Sequence, residues 1–316
     1  SGVGGCGGAP PAGLTQGSFQ ELFQGLFQEK KLFQEIDSAI EEAIDRGQMP
    51  GAEVWVGYQG KQVYHRVLGS LSLEPLRAPL AENFVFDLAS LTKVLATATS
   101  ILILADQGSV DLDAPVARYI PEFASQGKSQ VTLEQLLRHR GGLPSVNALS
   151  EYGGKREEIL QRVLGIALAY PPGARFLYSD LGFMVLGELV QRVSGLSLEV
   201  FSQEHIFRPL TMSQTRFRPL PAEPCLECVP TIFTEGRWLK GEVHDPRTRK
   251  LGGVAGNAGL FGTAKDLARF CQMILYEGEL EGVRVLSPGA VRRMISGAGL
   301  APGEVRGLGW DIDTLY

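Results

Sequence analysis

Cysteine and histidine are scarce in this chain, with four of each among 316 residues. Four cysteines are too few for a disulfide scaffold. Cys225 and Cys228 form a lone C-x-x-C with no second pair and no histidine couple nearby, which argues against zinc and for two thiols in a loop. With so few histidines and no G-x-S-x-G elbow, a Ser-His-Asp hydrolase is poorly supported. Excess positive charge is lacking as well. Thirty Lys and Arg stand against 35 Asp and Glu, for a net charge of -5. With no basic cluster either, nothing marks a nucleic-acid partner. The uncharged run Val94 to Ala105 is too short to span a bilayer, and no membrane partner or signal peptide is expected. The chain starts at serine, so removal of an upstream segment leaves the compartment open, with a cytoplasmic placement favoured. Gly2, Gly4 and Gly7 spell G-x-G-x-x-G, but no strand precedes them and no helix follows directly, which discards a nucleotide fingerprint. No repeat of solenoid length is present.

What is there reads as an ordinary globular chain, 44% hydrophobic and 21% charged. Residues 1–17 are Gly/Pro-rich and are expected to be a disordered tail. From Ser18 to Arg46, apolar residues from Phe19 through Ile36, Ile40 and Ile44 recur at helical spacing and predict an amphipathic helix. Strands are expected over Ala52–Tyr58 and Lys61–Leu68, joined near Gln59-Gly60. Thr132 with Gln135, and Thr263 with Asp266, have capping-box spacing. Further helices are expected over Lys155–Ala169, Leu181–Ser194 and residues 197–206, and near 288–295 after Ser287. Residues 214–250 read as loop with a few short strands.

The chain is organised around FDLASLTKVLATATSILILADQG, residues 86–108. Ser90 and Lys93 lie three apart, which on a helix puts hydroxyl and amine on one face. Asp87 is a candidate N-cap, placing Ser90 in the first turn, where free N–H groups and the helix dipole favour an oxyanion. A lysine at the edge of so apolar a segment loses hydration, which favours the neutral amine that can act as a base. Ser-x-x-Lys alone is a weak pattern, and Ser125 to Lys128 matches it too. Gly127 within that second match and Pro121 upstream assign it to a loop, where spacing three guarantees no shared face. The bland reading of Ser90 and Lys93 is a helix start carrying an exposed lysine.

A second motif, Tyr178-Ser179-Asp180, sits in PPGARFLYSDLGF at a loop–helix junction. A tyrosine there can aim its phenol into a cleft, and beside a cationic lysine a phenol can relay protons. The commoner fate of such a tyrosine is a half-buried ring whose hydroxyl meets a backbone group. Taken together, SLTK at 90–93 and YSD at 178–180 resemble the penicillin-recognising serine hydrolases. The resemblance is to their class C β-lactamase-like group, which includes family VIII carboxylesterases and D,D-peptidases. "YIPEF", "LLRHRGGLP", "YSDLGFMVLGELVQRVSG", "VHDPRTRKLGGVAGNAGLFGTAKDLARF" and "RGLGWDID" resemble family blocks in the right order, over roughly residues 36 to 316.

The resemblance implies an α+β fold, with an antiparallel sheet flanked by helices plus an all-helical subdomain. On this chain that means a single β-lactamase-like domain over 18–316. Its α/β part would be 18–120 and 245–316, and its helical and loop insertion 121–244. It implies Ser90 as acylated nucleophile, Lys93 as its base and Tyr178 as a second base, with the Ser90 N–H in the oxyanion hole. Asp180 stands where the family often has asparagine and, if ionised, favours the ammonium form of the lysine. Asp180, Asn257 and Gly259 are the candidate substrate-binding positions, and His139 matches a family histidine read as structural. No metal or organic cofactor is implied.

The family's third motif, Lys or His, then Thr or Ser, then Gly, has no match here. Asn257-Ala258-Gly259 is a look-alike in an earlier block. Because "RGLGWDID" normally precedes that motif, the resemblance implies C-terminal strands carried outside this chain. They would come from a separate fragment of the same protein or from a partner subunit covering the sheet edge, or be deleted altogether. A hairpin over residues 51–68 would otherwise expose an apolar edge and face. The expected function is a serine hydrolase acting on small esters, β-lactams or amides. The alternative is a non-catalytic ligand- or partner-binding protein of the same fold.

Overall fold

In the computed structural model, residues 31–74, 76–218, 227–297 and 303–314 are described. The tail expected over 1–17 and the N-terminal half of the helix expected from Ser18 lie outside them, as does Cys225. Two compact units divide the chain: Ser1–Val54 with Gln62–Glu82, and Trp55–Lys61 with Asn83–Tyr316.

The first unit is built on the amphipathic helix, which runs Lys31–Asp45. Its Phe33 stacks on Tyr64 with ring centroids 4.8 Å apart. The Tyr64 hydroxyl donates to Asp37 one turn along that helix. Burial and the neighbouring carboxylate push the Tyr64 phenol up to about 12. Strands Gly51–Tyr58 and Lys61–Ser72 and the short Ala78–Pro79 form a three-stranded sheet in that order, rather than the two-stranded hairpin expected. Gln59 and Gly60, which the division assigns to the second unit, both have positive φ, as the turn of a right-twisted hairpin needs. Along the middle strand, Tyr64, Leu68 and Leu71 are buried. The step of three between the last two breaks strand alternation and coincides with Gly69 at φ +79°.

The second unit surrounds the uncharged run of residues 94–105. Lys93–Ala98 is π-helical and continues directly as the α-helix Thr99–Asp106. Leu95, Ala98, Ile101 and Leu102 are buried in one large core cluster. The helix Asp180–Ser194 packs beside it, with every residue from Leu181 to Val190 buried. Gly195 at φ +76° ends that helix in the left-handed cap its sequence predicts. The Thr132–Gln135 capping box forms in full. Of the second box only half forms. Thr263 Oγ1 accepts the Asp266 N–H, but the Asp266 carboxylate turns to the Gln214 N–H and the Thr215 hydroxyl. The helix expected over Lys155–Ala169 is shorter, Arg156–Leu164, with Gly165 at its C-cap. The last helix is Pro288–Ile295. Strand Leu260–Gly262 lies between Phe86–Asp87 and Arg216–Phe217, antiparallel to both. Helices with small antiparallel sheets make the fold α+β. Among the described residues, no single helix is long and apolar enough to cross a membrane.

Candidate active site

Asp87 is not a helix N-cap, because it belongs to the strand Phe86–Asp87 and is paired across to Phe261. Ser90 lies in the turn that enters the helix and not in its first turn. That turn is closed tightly. The N–H groups of Leu91, Thr92 and Lys93 bond the carbonyls of Leu88, Ala89 and Ser90 at 2.9, 3.1 and 3.0 Å. Most of the free donors expected at the helix start are therefore occupied. The Ser90 N–H has no partner among the described residues, and Ser90 is exposed.

Directly below, Lys93 is 2% exposed, so the bland reading of an exposed lysine is wrong. Its Nζ lies 3.1 Å from Ser90 Oγ, 3.0 Å from the Asn257 backbone carbonyl and 2.7 Å from Asp180 Oδ1. It also sits 4.8 Å from the centroid of the Tyr178 ring, against the ring face. Three donors on an ammonium can serve three such acceptors, so this head group is fully engaged.

Each of these partners is placed by its own local structure. Asn257 follows Gly256, which passes so close to the helix Asp180–Ser194 that a Cβ there would lie 1.9 Å from the Phe183 carbonyl. Only glycine permits that approach. The Thr97 hydroxyl donates to the Gly256 carbonyl at 2.7 Å. Asn257 thus enters the site through its backbone. Its side chain is buried and its Oδ1 accepts from the Thr248 hydroxyl at 3.3 Å. Gly259 is buried too, at φ +116°, beside the Gly253 carbonyl.

Tyr178 and Asp180 are held by the segment His139–Ser145. The Leu177 N–H bonds the His139 carbonyl, and the Ser179 N–H bonds His139 Nδ1 at 3.0 Å. The Ser179 hydroxyl donates to the Pro144 carbonyl at 2.6 Å and accepts from the Gly182 N–H as the helix cap. The Asp180 N–H bonds the Ser145 carbonyl at 2.9 Å. The His139 ring stacks on Tyr178 at 4.2 Å. Burial, with the cations Arg306 and Lys93 nearby, holds that imidazole well below its ordinary pKa and so neutral. A neutral ring whose Nδ1 accepts an N–H carries its proton on Nε2. The structural reading of His139 agrees with these bonds.

Sequence reasoning missed two residues near this centre. Arg306, from the "RGLGWDID" block, is buried with its guanidinium 5.8 Å from the Tyr178 ring and 5.2 Å from that of Phe176. His244, from "VHDPRTRK", bonds the Asp87 carboxylate. The two-thiol reading of the C-x-x-C also fails, because Cys228 is disulfide-bonded, with its partner outside the described residues.

The chain is α+β, with a lysine buried beside a serine hydroxyl and an aromatic ring against its amine. A family model described as Beta-lactamase matches residues 36–314, and the chain belongs to that family of serine hydrolases. Among curated relatives, the N-acetylmuramyl-L-alanine amidase of Bacillus subtilis (strain 168) is 31% identical, over 81% of this chain and 66% of its own length. A protein of Escherichia coli O157:H7, provisionally named a D-alanyl-D-alanine carboxypeptidase, is 29% identical, over 88% of this chain and 71% of its own. The chain thus spans about two thirds of these relatives. A solved class C β-lactamase superposes with a TM-score of 0.73 at 22% identity, over 89% of this chain and 74% of that one. That likeness concerns the fold.

Proposed function

We propose that the chain is a hydrolase that forms an acyl-enzyme on Ser90 and cleaves amide or small ester bonds. The observation that carries this reading is the 3.1 Å approach of the buried Lys93 Nζ to the exposed Ser90 Oγ. The names of the amidase and carboxypeptidase relatives favour amide and peptide substrates over simple esters.

In the proposed reaction, Ser90 Oγ attacks the substrate carbonyl carbon and its proton passes to the free amine of Lys93. The Ser90 N–H donates to the oxyanion as it forms. The tetrahedral adduct collapses, its C–N or C–O bond breaks, and the leaving group takes the proton by way of Lys93 and Tyr178. Water then attacks the acyl carbon, gives a proton back along the same path, and frees Ser90. Asp180, 22% exposed and paired with Lys93, fixes the amine and is reachable by substrate. Asn257 holds Lys93 through its backbone carbonyl, and the Asn257 side chain and Gly259 are both buried. The reading includes a Lys/His-Thr/Ser-Gly strand supplied from outside residues 1–316, as a separate fragment or a partner, to complete the cleft.

One observation favours the non-catalytic alternative. While Lys93 is an ammonium paired with Asp180 at 2.7 Å it cannot take the serine's proton. Intact-protein mass spectrometry after exposure to a fluorophosphonate and to a penicillin separates the two readings. The hydrolase gains one adduct, on the peptide holding Ser90. Folded protein that stays unmodified is a binder.

A further inference from the structure

The turn that presents Ser90 needs something to hold it. Ala89 has φ +48°, the left-handed region that residues with a Cβ resist. Such a conformation persists where neighbouring groups over-determine it. Here its carbonyl accepts from the Thr92 hydroxyl at 2.7 Å, and its N–H donates to Asp87 Oδ1 at 2.8 Å. The other oxygen of that carboxylate accepts twice from one residue, the His244 N–H and His244 Nδ1, each at 2.9 Å. The Asp87 side chain is 1% exposed and the His244 side chain 35%. A buried carboxylate with one oxygen on the serine turn therefore has its other oxygen on a solvent-reachable imidazole 157 positions along the chain.

We propose that His244 is a positioning residue for the nucleophile, clamping Asp87 so that the Ala89 turn aims the Ser90 hydroxyl at Lys93. The clamp rests on the reading of Ser90 as the nucleophile, but its geometry does not. The same segment also braces the lysine. Asp245 Oδ1 accepts the Thr248 N–H at 2.7 Å, and Thr248 in turn bonds Asn257, whose carbonyl holds Lys93 Nζ. Residues 244–248 thus tie the two halves of the Ser90–Lys93 pair to one frame, Asp87 from one end and Asn257 from the other.

The charged groups facing the ring are Asp87, Asp245 and Arg249. The hydrogen bond and charge of Asp87 hold the imidazole above its ordinary pKa despite burial. The charge-assisted clamp is therefore complete below about pH 6.5. It weakens to a neutral N–H bond as pH rises through the raised value.

Amide hydrogen exchange read at Ala89, together with Ser90 labelling by a fluorophosphonate, tests this in wild type, His244→Ala and His244→Asn. Asn keeps a neutral donor near the position of Nδ1 and does not titrate. In His244→Ala the Ala89 N–H should exchange about tenfold faster, the loss of roughly one hydrogen bond's worth of protection. Labelling of Ser90 should slow by a similar factor through the maximal rate and not through probe affinity. His244→Asn should restore both. In wild type, exchange corrected for intrinsic rate should rise with pH across the His244 titration, and in His244→Asn it should stay flat. Unchanged Ala89 exchange in a folded His244→Ala overturns the proposal. So does an Asn variant that exchanges as fast as a folded Ala variant; if His244→Ala does not fold, wild-type exchange that stays as flat with pH as that of His244→Asn overturns it. Wild type that protects Ala89 yet takes no label leaves the clamp standing and rejects the hydrolase reading instead.

Discussion

The chain spells Ser-x-x-Lys twice, and the two copies fold differently around lysines that are both buried. Lys93 and Lys128 are 2% and 0% exposed. Lys93 reaches the hydroxyl of its serine, because residues 90–93 close a helical turn. Lys128 reaches only the Ser125 carbonyl at 2.8 Å, and the Ile166 carbonyl at 2.6 Å, with the Phe123 ring 5.2 Å away. Gln126 and Gly127, both at positive φ, turn the second copy into a loop. Lys93 faces a carboxylate and a phenol, whereas Lys128 faces two carbonyls and a phenyl ring. The spacing supplies the residues, but the backbone between them decides whether an amine serves a hydroxyl or ties down a loop.

The largest expected contrast is at the serines. Ser90→Ala should reduce labelling and hydrolysis by at least about a thousandfold, since it removes the proposed nucleophile. Ser125→Ala should leave both unchanged, as followed by adduct mass and by ester turnover. Next comes the second lysine. Lys128→Met removes the only charge on two carbonyl bonds and should destabilise folding by about 2–3 kcal/mol with Ser90 labelling intact. Burial holds the Lys128 amine below its ordinary pKa. The unfolded chain thus binds more protons than the folded one in that window. Relative to Lys128→Met, wild-type stability in urea should therefore rise with pH until about 10.5, the unfolded value. Either variant slowing Ser90 chemistry would break the contrast.

Two smaller effects sharpen it. His139 is buried neutral, so stability is lost as pH falls below about 6.5, by no more than about 1.4 kcal/mol per pH unit. Urea melts of wild type and His139→Asn should diverge between pH 7.5 and 5, with wild type the more acid-sensitive. Least of all, Ala89→Gly relieves the left-handed strain but frees the unfolded chain. The net gain should be about 0.5–1 kcal/mol by the same melts, with a bulkier Ala89→Val losing stability instead.

Much of the centre was legible in the sequence. Ser90, Lys93, Tyr178 and Asp180 do meet, because each pair sits where a local signal fixes the backbone, a helix entry or a capped helix start. The caps themselves were only half legible. Thr132 and Gln135 answer each other, but the Asp266 carboxylate is drawn away by the distant Thr215, and Asp87 is held in a strand with one carboxylate oxygen on the distant His244. The π-helical start at Lys93 and the clamp from residues 244–248 carry no periodic signal at all. Arg306 reads as one more surface cation until the Tyr178 and Phe176 rings close around it.

In the proposed reaction the Lys93 amine acts on the Ser90 hydroxyl. The second-order rate of adduct formation on Ser90 in Lys93→Met, beside Lys128→Met and with folding verified for both, tests that most directly. A loss of about a thousandfold or more in Lys93→Met, with Lys128→Met near wild type, is the predicted result. Equal rates in wild type and Lys93→Met would contradict it.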